Sequence, residues 1–158
     1  MSESLSDHHN AARYDLLVAG AGPAGLACAI AAAMKGLRVH VVDGRKPPID
    51  KACGEGMMPD TLIALEQLGI SSEQLAKIGF PMRGIRFVHR GLAVDAPFPG
   101  GSGTGVRRTA LHQLLLQRAE ELGVTFNWKT TFTGLDKDKL LTSRGTMRAQ
   151  WIVGADGS

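Results

Sequence analysis

The segment from Tyr14 to Asp43 limits what this chain can fold into more than any other. An apolar run, Leu16-Leu17-Val18-Ala19, feeds directly into Gly20-Ala21-Gly22-Pro23-Ala24-Gly25, and an alanine-rich stretch follows. A second apolar run, Val39-His40-Val41-Val42, stops at Asp43. This is the layout of a βαβ dinucleotide site, with the acid at the usual distance of about 20 residues beyond the glycines. Gly20 allows a tight turn out of the strand, Gly22 lets backbone N–H groups approach a pyrophosphate, and Gly25 lets the helix pack closely on the sheet. The helix start, with Ala21, Pro23 and Ala24 around it, supplies unpaired N–H donors and partial positive charge. Asp43 is placed to accept hydrogen bonds from an adenosine ribose, with Gly44 and Arg45 beside it. A G-x-G-x-x-G alone is weak, because a plain strand–turn–helix corner with a loop-capping aspartate has the same letters. Here the strand, the helix and the acid supply the context that the motif requires.

Composition narrows the rest. Hydrophobic residues make up 44% and charged residues 21% of the 158, enough for a core within one domain of ordinary size. The net charge is +3, Arg107-Arg108 is a pair with no run around it, and aromatic residues are few, so nucleic-acid binding finds no support. Met1–Asn10 has no apolar signal core, and the longest apolar stretch, Ala24–Met34, is too short to span a bilayer. The chain reads as cytoplasmic, with residues 1–12 a disordered tail and 13–158 one domain. Cys28 and Cys53 fit a reducing compartment, and Cys28 falls in the first helix as a small thiol. His8-His9 reads as part of the solvated tail, and no metal cluster is expected.

Residues 44–59 read as a long loop, followed by a short helix from Pro59 with Leu62, Ile63, Leu65 and Leu68 on one apolar face. Residues 84–98 read as a β-hairpin turning at Arg90-Gly91. Gly100-Gly-Ser-Gly-Thr-Gly105 lacks the Gly-Lys-Ser/Thr ending of a phosphate loop and reads as a flexible connector. Thr109–Leu122 reads as an amphipathic helix capped by Thr109 and stopped by Gly123, with Leu111, Leu114, Leu115, Ala119 and Leu122 on its buried stripe. Val124–Trp128 alternates as a strand, 130–150 suggests a small antiparallel meander, and Trp151-Ile152-Val153 reads as a last buried strand before Gly154-Ala155-Asp156-Gly157-Ser158. The fold class is therefore α/β: a Rossmann-like parallel sheet built on a βαβ unit, plus a small antiparallel β-meander.

Four segments, in order along nearly the whole chain, resemble the FAD-binding part of the p-hydroxybenzoate-hydroxylase-like flavoprotein superfamily, which includes aromatic monooxygenases, halogenases and geranylgeranyl reductases. They are Gly20–Gly25 with Asp43; Lys51-Ala52-Cys53-Gly54-Glu55-Gly56, similar to the Cys-Gly-Glu segment of the geranylgeranyl-reductase branch; Arg108-Thr109-Ala110-Leu111 with Leu115; and Val153–Ser158 with its Asp-Gly. The resemblance implies FAD as cofactor and NADPH or NADH as reductant. It places Arg108 at the FAD phosphates or ribityl chain, the backbone near Thr131 at the adenine, and Asp156 where pyrophosphate and nicotinamide meet. It also puts Cys53 and Gly54 near the flavin. The weaker readings are a surface arginine for Arg108, a simple turn residue for Asp156 and a reactive thiol for Cys53, where a structural or flavin-adjacent role is favoured.

In this family the flavin accepts hydride from the nicotinamide and then activates dioxygen or reduces a double bond, while the protein positions and screens the ring. The resemblance favours a monooxygenase, with a geranylgeranyl-reductase-like enzyme acting on prenyl chains as the alternative. An inactive FAD-binding module is a third reading. An NAD-only dehydrogenase is disfavoured by the Arg108 and Asp156 segments. The family pattern continues past Asp-Gly-Ser into a helix, a β-rich substrate domain and a second flavin-binding segment. The chain is accordingly expected to be an incomplete FAD-binding domain, missing its C-terminal substrate domain and turning over little on its own.

Overall fold

In the computed structural model the described residues are 14–51, 53 and 55–157. The proposed tail with His8-His9, and Gly54, lie outside them. In chain order the elements are β1 (Tyr14–Ala19), α1 (Pro23–Ala33), β2 (Val39–Asp43), β3 (Gly56–Met57), α2 (Pro59–Gln67), α3 (Ser72–Ile78), β4 (Gly79–Met82), β5 (Gly84–His89), β6 (Leu92–Pro97), β7 (Gly103–Val106), α4 (Arg108–Glu121), β8 (Thr125–Trp128), β9 (Phe132–Asp136), β10 (Lys139–Thr142) and β11 (Gly145–Gly154).

The main sheet has six strands in the order β8-β2-β1-β11-β10-β9. The first four run parallel and the last three form an antiparallel meander, so β11 belongs to both halves. The expected parallel sheet and meander are present, but they are one continuous sheet. The run 151–153 is the end of a ten-residue strand that begins at Gly145.

β1 sits inside the sheet with both faces covered, which is why its apolar run does not alternate with polar residues. Leu16 and Val18 face α1 and α4 in a cluster with Leu26, Ile30, Val41, Leu115 and Ala119. Leu17 and Ala19 face the other way, against Val42 and Leu140. Each fully buried leucine of this kind contributes on the order of 1.5–3 kcal/mol. The second run of the meander thus supplies Leu140 to cover the face that α1 does not reach.

Several elements differ from the sequence reading. Gly103–Val106 is no flexible connector but the middle strand of an antiparallel sheet, β3-β7-β4. α3 and β4 were not anticipated, although Ser71-Ser72-Glu73-Gln74 carries the signature of a capping box. Ser71 Oγ accepts from the Gln74 N–H at 3.2 Å, and Gln74 Oε1 accepts from the Ser71 N–H at 2.9 Å. α4 starts at Arg108 with Arg107 at its N-cap, two residues earlier than a Thr109 cap would place it. Its buried face includes His112 and Leu116 as well as Leu115 and Ala119. Ile63 is exposed, because α2 turns only Leu65 fully inward. Trp151 is exposed rather than buried.

The hairpin β5–β6 turns at Arg90-Gly91 as the sequence indicates, in full register from Gly84↔Pro97 to His89↔Leu92. Its apolar side chains Phe87, Val88, Leu92 and Val94 stand in solvent.

Candidate cofactor site

The C-terminal ends of β1, β2 and β11 meet the start of α1 around a cavity of about 500 Å³. This is the edge at which ligands bind in open parallel sheets, where the helix N-terminus and the loops after the strands converge. Its wall includes Gly20, Gly22, Pro23, Ala24, Asp43, Gly44, Arg45, Arg108, Thr131 and Asp156. All ten were named from sequence, and they arrive from five separate parts of the chain.

The three glycines of the loop do different work. Gly20 has φ +110°, and any side chain there would strike the Ala155 backbone, which is bonded back to β1 through Ala155 N–H to Ala19 O at 2.7 Å. A side chain at Gly25 would run into Gly20 O. These two glycines set the close approach of helix, turn and β11. Gly22, with φ −69°, has no atom within 4 Å of where a Cβ would stand. The space beside it is cavity.

Gly22 is also the N-cap of α1, without a capping side chain, and no acidic residue lies in the first turn. Pro23 occupies N1, where the missing N–H costs nothing. The remaining first-turn N–H groups have no partner inside the helix, so they are available to an anion.

Asp43 braces the glycine loop. Its Oδ2 accepts the Ala21 N–H at 2.8 Å and its Oδ1 the Arg45 N–H at 2.8 Å, so the carboxylate ties the glycine loop to the end of β2. Each oxygen keeps a lone pair for a ligand hydroxyl. Thr131 lines the cavity beside Gly44, but its backbone is engaged. Its N–H donates to Ser143 Oγ at 3.0 Å and its carbonyl accepts from the Ser143 N–H at 2.9 Å. What Thr131 adds to the wall is its hydroxyl, close to Gly44.

Arg108 reaches the cavity from the first residue of α4, with its own N–H donating to Glu55 Oε1 at 3.1 Å. Its Nε is buried and has no partner among the described residues. A buried guanidinium N–H without an acceptor is costly, and at a cavity wall it marks where an acceptor belongs. Arg45, Lys51 and Arg108 give the wall three cations against Asp43 and Asp156. Together with the open space at Gly22 and the uncapped helix, this donor set fits a dinucleotide diphosphate.

Lys51, Val42, Ile49, Phe132, Ala155 and Gly157 also line the cavity and were missed. Lys51 Nζ lies 3.3 Å from the position a Cβ on Gly157 would take, which places the loop after β2 beside the segment that follows β11. Its signal was its place at the head of the Cys-Gly-Glu segment. Val42, Ile49 and Phe132 are apolar walls, and nothing in a sequence distinguishes a wall from a core. Ala21 and Gly25 are buried behind the loop, and Cys53 is an exposed free thiol outside the cavity lining.

The family model for the FAD binding domain matches residues 13–158. The chain belongs to this FAD-binding family. The domain is 33% identical over 157 residues to a menaquinone reductase of Mycolicibacterium smegmatis, covering 92% of this chain and 38% of that protein. It is 34% identical over 96 residues to a squalene monooxygenase of Candida glabrata, covering 61% of this chain and 20% of that one. Among solved structures, 2-methyl-3-hydroxypyridine-5-carboxylic acid oxygenase superposes with a TM-score of 0.82 at 26% identity, covering 92% of this chain and 40% of that one. The FAD-binding domain thus spans two fifths or less of these proteins. No helix among the described residues is long and apolar enough to cross a membrane, and they contain no cluster of metal-ligating side chains.

Proposed function

We propose that this chain is the FAD-binding portion of a flavin-dependent monooxygenase that takes its electrons from NADPH or NADH. The observation that carries the cofactor reading is that Arg108 and the uncapped N-terminus of α1 line the same cavity. In this reading Gly22, Ala24 and Arg108 hold the diphosphate, while Asp43 and Arg45 hold the adenosine end. Asp156 and Lys51 close the side from which the reductant approaches. When bound, the flavin supplies the redox chemistry. The chain's own residues bind it, fix its orientation and exclude water from the diphosphate.

A prenyl-lipid reductase is the second reading. It is favoured by the match to a menaquinone reductase over 92% of the chain and by the Cys53-Gly54-Glu55 segment. The substrate-binding remainder, a cytoplasmic location and the low turnover of this portion alone belong to the proposal as well.

The test is a titration of the folded chain with FAD, followed by flavin fluorescence, with NAD and NADPH as competitors. Saturable quenching that Gly22→Val abolishes supports the cofactor reading, and absence of binding by a folded chain overturns it. Monooxygenase and reductase are then separated in the longer protein. A monooxygenase consumes dioxygen in proportion to oxidised product, whereas a reductase saturates a substrate double bond under anaerobic conditions.

A further inference from the structure

One residue of the glycine loop is pinned from two sides by side chains distant in sequence. The Ala21 N–H donates to Asp43 Oδ2 at 2.8 Å, and Ala21 O lies 2.9 Å from His112 Nε2. A carbonyl oxygen can only accept, so His112 Nε2 carries the hydrogen and donates it. His112 is 1% exposed, on the face of α4 that also buries Leu115 and Ala119. It is a polar residue in an apolar stripe, and its hydrogen-bond partner among the described residues is the glycine loop.

We propose that His112 is a positioning residue that aims the Gly22 N–H into the cavity, where it donates to the diphosphate of the bound dinucleotide. The Ala21–Gly22 peptide is trans, so its C=O and N–H point in opposite directions. With Ala21 O held inward by His112, the Gly22 N–H is turned outward, and Gly22 is the glycine that faces open cavity. A glycine tolerates either peptide orientation, so the loop's composition alone does not select the productive one. His112 follows Arg108 by one helical turn, on the same side of α4. One helix therefore delivers the guanidinium to the cavity and locks the loop opposite it.

This inference rests on the cofactor reading above, and the experiment separates the two. The chain labelled with nitrogen-15 is titrated with ADP, FAD and adenosine. The Gly22 amide is expected to be among the most strongly shifted by ADP and FAD, and little affected by adenosine. His112→Leu keeps the bulk and removes the donor. It is expected to weaken ADP and FAD about tenfold, the scale of one hydrogen bond to a charged group, with adenosine unchanged. His112→Gln, whose amide can still donate, is expected to recover most of that loss.

A Gly22 amide that does not respond to ADP bound by the wild-type chain overturns the inference. So does His112→Leu binding ADP as the wild type does, or losing adenosine and ADP equally, the mark of a merely structural role. Should His112→Leu fail to fold, the Gly22 amide in the wild type and the affinity of His112→Gln decide. A wild-type chain that binds neither FAD nor ADP overturns the cofactor reading itself, and this inference with it.

Discussion

Two stretches of this chain are almost equally rich in glycine, Gly20–Gly25 and Gly100–Gly105, and they do opposite things. The first leaves β1 and ends at the uncapped start of α1 beside an open cavity. The second becomes β7, hydrogen-bonded to β3 on one side and β4 on the other. Its glycines allow close strand approach: a side chain at Gly103 would strike Met57 O, and one at Gly79 on β4 would strike β7 in turn. β7 then delivers the chain to Arg108. Glycine content is shared. What differs is where the backbone hydrogen bonds go, and that decides which stretch can hold an anion.

The sharpest way to break the comparison is within the first stretch. Gly25→Val puts a side chain onto Gly20 O, an atom fixed in the turn, and is expected to cost at least about 3 kcal/mol in urea unfolding. A stable Gly25→Val chain would show that the turn is not rigid.

Gly22→Val meets no atom within 4 Å and has a φ open to any residue, so its thermal midpoint should stay at the wild-type value. Its FAD affinity should fall by at least about a hundredfold, near 2.7 kcal/mol, because the new side chain fills the diphosphate's place. Arg108→Gln is expected to weaken FAD by about tenfold. The loss should shrink as salt rises, which a titration at two ionic strengths would reveal.

Gly103→Ala tests the second stretch. It should lower stability by about 1–2 kcal/mol through the clash at Met57 O, yet leave FAD affinity of the folded chain within a factor of about three. A large affinity loss would mean that β7 contributes to the site directly.

The smallest effect concerns pH. His40 on β2 is buried, stacks on Tyr14 with ring centroids 4.6 Å apart, and bonds Thr125 Oγ1 through Nδ1 at 2.7 Å. Burial holds its pKa below the ordinary 6.5. The unfolded chain therefore binds a proton at a pH where the folded one does not. This stability is complete above about pH 6.5 and is lost as pH falls toward the folded pKa, by at most about 1.4 kcal/mol per pH unit. His40→Phe should flatten that decline in a series of thermal melts.

The site was more legible than the fold around it. Strand, glycines and acid follow one another within a single βαβ unit, so local spacing reports them directly. Arg108 and Asp156 were found by resemblance, at positions where the structure does bring them to the cavity. His112 was not found, since its partner is 91 residues away and a histidine on an apolar stripe has no local signature. Lys51 was passed over in favour of the neighbouring Cys53, which lies outside the cavity lining. α3 went unread despite its capping box, because a helix of seven residues shows too little periodicity to stand out.

The sequence by itself determined the βαβ unit, the hairpin, the meander turns and the identity of most cavity residues. These are set by short-range pattern: glycine where the backbone must turn, apolar runs where both faces are covered, Asp-Lys-Asp and Arg-Gly where strands reverse. Tertiary structure alone decided that Gly103–Val106 is a strand and that the meander continues the parallel sheet through β11. It also decided that the apolar residues of β5–β6 and Trp151 face solvent. Those outcomes depend on which distant element lies alongside, and hydrogen-bond pairing and burial are properties of that neighbour as much as of the residue itself.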